Sequence, residues 1–124
     1  MITKANTVGI YVRDQQRALE FYRDKLGFQV IMDAPMTEAE GGPRWLEVAP
    51  PGAQTHFVLF TPEGQEDRIG TFSNIVFDCD DIQQTYQELS SRGVEFAEPP
   101  SQQPWGWWAT FKDPDGNTYG LGQH

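Results

Sequence analysis

Side chains able to do chemistry are few in these 124 residues. Histidine occurs only at 56 and 124, and cysteine only at 79. With so few bases, no Ser-His-Asp or Cys-His arrangement is suggested by the spacing, so nucleophilic catalysis has little to build on. A metal is the second possibility. Glu47, His56 and Asp78 fall in three separate apolar runs, and one imidazole with two carboxylates is the donor set of a facial triad. Each also has a plainer reading: His56 at a strand end near water, Glu47 as a solvated strand residue, Asp78 capping the turn into a helix. The third possibility is aromatic. Trp45 stands alone while Trp105, Trp107 and Trp108 are close together, and an indole near the surface can stack a planar ring or hold a cation over its face.

The elements that must place these residues follow from hydrophobic period and punctuation. Val8, Ile10 and Val12 alternate with Thr7, Gly9 and Tyr11, which predicts a strand with two distinct faces. Asp14 suits a helix N-cap, Ala18, Leu19, Tyr22 and Leu26 follow at helical spacing, and Gly27 ends the helix. Strands are predicted at 28–32, 45–48 and 55–60, with 33–43 a polar loop and Pro50-Pro51-Gly52 a turn. A polar connection, 61–70, leads to a second round. Ile75, Phe77 and Cys79 alternate with Asn74, Val76 and Asp78; Asp81 caps a helix carrying Ile82, Tyr86 and Leu89; Gly93 closes it, and a strand resumes at Val94. Sliding the chain by 67 residues lays Thr7 on Asn74, Tyr11 on Asp78 and Asp14 on Asp81, the mark of an internal repeat. Near the end, Asp113-Pro114-Asp115-Gly116 reads as a tight turn joining the last two strands.

On this parity Tyr11, Trp108 and Thr110 turn away from the helix side, and so do Thr118, Gly120 and Gly122. Trp107 shares the opposite face with Ala109 and Phe111, where packing is at least as good an explanation as a ligand. Gly120-Leu121-Gly122 ends a strand and opens no helix, so it is no nucleotide loop. The lone Cys79, in an apolar alternating run, reads as a small hydrophobe with no catalytic role.

Nine basic against eighteen acidic residues leave a net charge of −9, a field that repels phosphate backbones and anionic membranes and enriches cations nearby. Nucleic acid and membrane partners are therefore not expected. The length suits one domain, 1–124, and no apolar run approaches the roughly 20 residues needed to cross a bilayer. The polar start, without a basic-then-apolar leader, makes a cytoplasmic location the expectation.

The hairpin Phe111 to Leu121, with Val8-Gly9-Ile10-Tyr11-Val12-Arg13-Asp14, Phe21-Tyr22 and Leu26-Gly27-Phe28, resembles the vicinal oxygen chelate superfamily over nearly the whole chain. That group includes glyoxalase I, extradiol dioxygenases, fosfomycin-resistance enzymes and bleomycin-resistance binding proteins. The resemblance implies an α+β fold of two β-α-β-β-β modules, about 5–62 and 72–122, whose mixed sheets curl around a central cleft with helices outside. It implies homodimers as well. Metal-using members carry a ligand at four equivalent strand positions, which here are Thr7, Val58, Asn74 and Gly120. Thr7 and Asn74 offer only neutral oxygens, and Val58 and Gly120 offer no side-chain ligand. The reading is then a ligand-binding protein like the bleomycin-resistance branch, with no cofactor, taking an aromatic or cationic compound through Thr7, Tyr11, Trp45, Asn74, Trp105 and Trp108. The alternative is a lyase, isomerase or dioxygenase with one divalent metal on relocated ligands, Glu47, His56 and Asp78.

Overall fold

A computed structural model describes residues 1–71 and 75–123. The chain divides into two compact units, Met1–Ile69 and Gly70–His124. In the first, β1 (Thr7–Tyr11), α1 (Gln15–Glu20), β2 (Gln29–Pro35), β3 (Arg44–Ala49) and β4 (His56–Phe60) follow in order. In the second, β5 (Ile75–Asp78), α2 (Ile82–Ser91), β6 (Glu95–Gln103), β7 (Gly106–Lys112) and β8 (Thr118–Gln123) repeat the same order. Each unit is thus a β-α-β-β-β module, with sheet orders β1-β4-β3-β2 and β5-β8-β7-β6. The fold is α+β, and in each mixed sheet the first strand lies parallel to the last.

The expected caps hold both helices. The side chain of Asp14 accepts from the backbone N–H of Arg17, and that of Asp81 accepts from Gln84. At the other ends Gly27 (φ 79°) and Gly93 (φ 89°) take the left-handed backbone that glycine adopts without strain. The first helix departs from a uniform α-helix. After Glu20 it widens into a π turn over Phe21–Lys25, closed by Leu26 N–H donating to the Phe21 carbonyl at 3.1 Å. The wider turn lets the consecutive Phe21 and Tyr22 both reach the core beside Ala18 and Leu19.

Two strands run beyond their sequence-based limits. β2 continues through Pro35 into the predicted loop, because Asp33 takes two hydrogen bonds from the Arg44 guanidinium, at 2.9 and 3.0 Å, and locks the β2–β3 pairing. A register shift between Val30 and Met32, on a strand exposed along nearly all its length, erases the alternation that would have announced it. β6 runs through Pro99 and Pro100 with two such shifts. It is the outer strand of its sheet, where a missing backbone N–H costs no ladder bond.

In each unit the helix covers one face of the sheet. Beneath α1 lie Ile10, Leu46, Val48, Phe57 and Leu59, with Phe28 stacked on Phe57 and tilted against Tyr22. Beneath α2 lie Ala109, Phe111, Tyr119 and Leu121, with Phe77 stacked on Phe111 and tilted against Tyr119. The other face of each sheet carries the residues of interest. Among the described residues no helix is long and apolar enough to cross a membrane.

Candidate functional site

On the first sheet the strand register aligns Thr7 with His56, Gly9 with Val58 and Tyr11 with Phe60, all on the face away from α1. Glu47 sits on β3 directly across from Val58. There the indole Nε1 of Trp45 donates to one carboxylate oxygen of Glu47 at 3.0 Å, and His56 Nδ1 lies 2.5 Å from the other. Glu47 is buried at 8% exposure, so both oxygens are satisfied from within the sheet. The hydrogen bond from His56 holds its carboxyl below the usual glutamate range; burial pushes the other way, and the Trp45 bond adds to the lowering. An ionised carboxylate only accepts, so His56 Nδ1 bears the proton and donates. The solvated reading of Glu47 is corrected here: it is buried because its neighbours supply two donors.

Tyr11 stands at the end of the same face. Its ring packs 6.0 Å from that of Phe60, and the Arg68 guanidinium lies 5.3 Å from its centroid. The aromatic face expected to meet a cation thus holds one of the chain's own, from the 3-10 turn Glu66–Arg68. Sequence patterning gave no sign of this, since Arg68 lies in an apparently featureless connection.

On the second sheet β7 pairs Trp108 with Gly122 and Thr110 with Gly120. The Trp108 indole leans along the strand onto Gly120: a Cβ built there would fall 2.3 Å from Cη2 and 2.7 Å from Cζ2. Any side chain at 120 would therefore displace the ring. A glycine inside a strand is the sequence sign of such close approach. Val76 and Asp78 lie on the same face, aligned with Gly120 and Gly122. Trp105 sits at the tip of the β6–β7 turn, 60% exposed. Trp107 is half-buried on the α2 side, so its packing is looser than a core position implies. Asn74 and His124 lie outside the described residues.

The metal question is one of donors. Thr7 and Val58 on the first sheet and Gly120 on the second, positions that the resemblance assigns to metal ligands, supply neither imidazole nor carboxylate. Of the relocated set, Glu47 and His56 meet; among the described residues no group of three or more His, Cys, Asp or Glu side chains comes together. Cys79 Sγ donates to the Gly122 carbonyl at 3.6 Å, and burial, with nearby aspartates, pushes its thiol above the ordinary range, which leaves it a poor nucleophile.

A pocket of about 490 Å³ opens elsewhere in the first unit, lined among others by Gln15, Gln16, Arg44, Thr61 and Glu63. Its best-placed groups are already committed. The Gln15 amide donates to the Arg44 and Leu59 carbonyls and accepts from Arg44 N–H, while the Arg44 guanidinium is taken by Asp33 and Gln16. It anchors the β2–β3 loop.

This architecture matches known proteins along its whole length. The model of the Glyoxalase/Bleomycin resistance protein/Dioxygenase superfamily aligns with residues 4–121, and the chain belongs to that superfamily. Bacillus subtilis (strain 168) has a similar uncharacterized protein, YetH, 42% identical over 121 residues, covering 96% of this chain and 97% of that one. Among solved structures, the chain is similar to TnmS3, an antibiotic binding protein from Streptomyces sp. CB03234, with 35% identity, TM-score 0.87 and coverage of 98% and 96%. A superfamily member from Sphaerobacter thermophilus DSM 20745 is similar at 36% identity, TM-score 0.87 and coverage of 99% and 98%.

Proposed function

We propose that this protein is a binding protein of the bleomycin-resistance type, which sequesters or senses an aromatic or cationic small molecule without a metal of its own. The observation that carries this reading is Trp108 lying on Gly120. At the eighth-strand position where metal-using relatives keep a carboxylate, this chain has a glycine, and an indole fills the space. The glycine offers no ligand and leaves room for the stacking surface of Trp108. An antibiotic-binding relative of similar fold supports the same direction. Thr7, Tyr11, Trp45, Asn74 and Trp105 are proposed as further ligand-binding residues, in a cytoplasmic homodimer.

A second reading, a metal-dependent lyase, isomerase or dioxygenase, draws on the Glu47–His56 pair. It is less economical, because both Glu47 oxygens already accept hydrogen bonds and the third ligand is missing from the group. Elemental analysis of protein purified without chelator separates the two. Our reading expects no stoichiometric Ni, Zn, Fe or Mn; about one metal per chain, abolished by His56→Ala, would establish the second.

A further inference from the structure

The Trp45–Glu47–His56 group has an order that a merely satisfied carboxylate does not require. Glu47 is buried at 8%, while its two partners open outward, Trp45 at 37% exposure and the His56 side chain at 22%. Nδ1 donates to an ionised Glu47, so whenever the ring carries a single proton Nε2 is a bare acceptor, and no described residue takes it. The carboxylate fixes the ring's tautomer and orientation, as a supporting acid does for a working histidine. Beside it, the Trp45 indole is pinned through its own N–H, which leaves the ring as a fixed aromatic platform. Thr7 is aligned with His56 across β1 and β4 and adds a hydroxyl on the same face. A platform next to a fixed acceptor selects a planar ring bearing an acidic hydroxyl.

We infer that this group is a subsite for hydroxylated aromatic compounds, in which the ring stacks on Trp45 and the phenolic O–H donates to His56 Nε2. The inference rests on the small-molecule-binding reading above and names its ligand class. It assigns no bond-making step: the proton stays on the line between oxygen and nitrogen.

The probes are 2-naphthol and its methyl ether, which share the ring and differ in the donor, titrated by quenching of tryptophan fluorescence. The wild type should bind the naphthol about tenfold more tightly, the worth of one well-placed hydrogen bond. His56→Asn is the informative variant, because its amide nitrogen stands where Nδ1 was and keeps the bond to Glu47 while Nε2 is lost. It should fold, as judged by its melting temperature, and bind both probes alike. Trp45→Ala should weaken both by similar factors. Equal affinities in the wild type, or a preference surviving in His56→Asn, would overturn the inference while leaving the binding function standing. Absence of quenching by either probe, together with failure of a wider library of aromatic and cationic compounds, would overturn both.

Discussion

At the scale of single residues, Gly120 and Trp108 form one packed pair. Removing a stacking indole typically costs about 1–3 kcal/mol, so Trp108→Ala should weaken ligand binding roughly five- to 150-fold and leave the thermal midpoint nearly unchanged. Gly120→Ala should imitate that loss with the indole still present, since the new methyl group takes the space of its six-membered ring. Fluorescence titration beside thermal melting checks both. Trp107→Ala, from the α2 side, should lower the melting point and spare binding. Glu47 offers a pH test. Its folded pKa is depressed, so its pairing contributes stability in full above the unfolded value of about 4.3, and that contribution is lost as pH falls through the lowered folded value. Denaturant melts of wild type and Glu47→Gln should therefore converge as pH falls below the unfolded value of about 4.3 and through the lowered folded one. A constant gap would show that Glu47 does not carry the acid limb.

At the scale of elements, the β7–β8 turn is densely hydrogen-bonded. Asp113, 5% exposed, accepts from the backbone N–H groups of Asp115 and Asn117 at 3.0 and 2.9 Å and from the Asn117 amide at 2.8 Å. Asp113→Ala should cost about 3 kcal/mol, read as a shifted urea midpoint, because three donors lose a charged acceptor. Gly70 supports the same turn: at φ 81° a Cβ would meet the Asp115 carbonyl oxygen at 2.1 Å. The turn was plain in Asp113-Pro114-Asp115-Gly116, as were the two capped helices, because proline, glycine and aspartate act through local geometry. Alternation at 7–11 and 75–78 likewise revealed which faces carry Tyr11 and Val76. The edge strands were read only in part, at 28–32 and from Val94. Beyond those stretches β2 is exposed on both faces and β6 contains two prolines, so neither has the one-sided burial that writes a period into sequence. The Glu47–His56–Trp45 group was half visible. The residues stood out by type, but their meeting depends on register between β3 and β4, which no local pattern encodes.

At the scale of the whole molecule, duplication explains the economy of the chain. One β-α-β-β-β plan is used twice, with Asp14 and Asp81 capping, and Gly27 and Gly93 ending, the two helices. The superfamily takes its name from a glyoxalase, a resistance protein and a dioxygenase together, so this plan fixes architecture more tightly than chemistry. Apolar side chains remain exposed on β2 and just beyond it, Val30, Ile31, Met32 and Met36, and an uncovered edge of this kind favours self-association. Light scattering at micromolar concentration should accordingly give the mass of two 14.1 kDa chains; a single-chain mass would remove the homodimer from the proposal.

The central claim is that the chain binds an aromatic or cationic compound through its indoles and needs no metal to do so. Its most direct measurement is a calorimetric titration of the tightest compound from a fluorescence screen into chelator-treated wild type and Trp108→Ala. The account predicts that chelation leaves wild-type affinity unchanged and that the variant binds roughly five- to 150-fold more weakly. Binding that vanishes with chelator and returns with added metal, or that is equal in the two proteins, would contradict it.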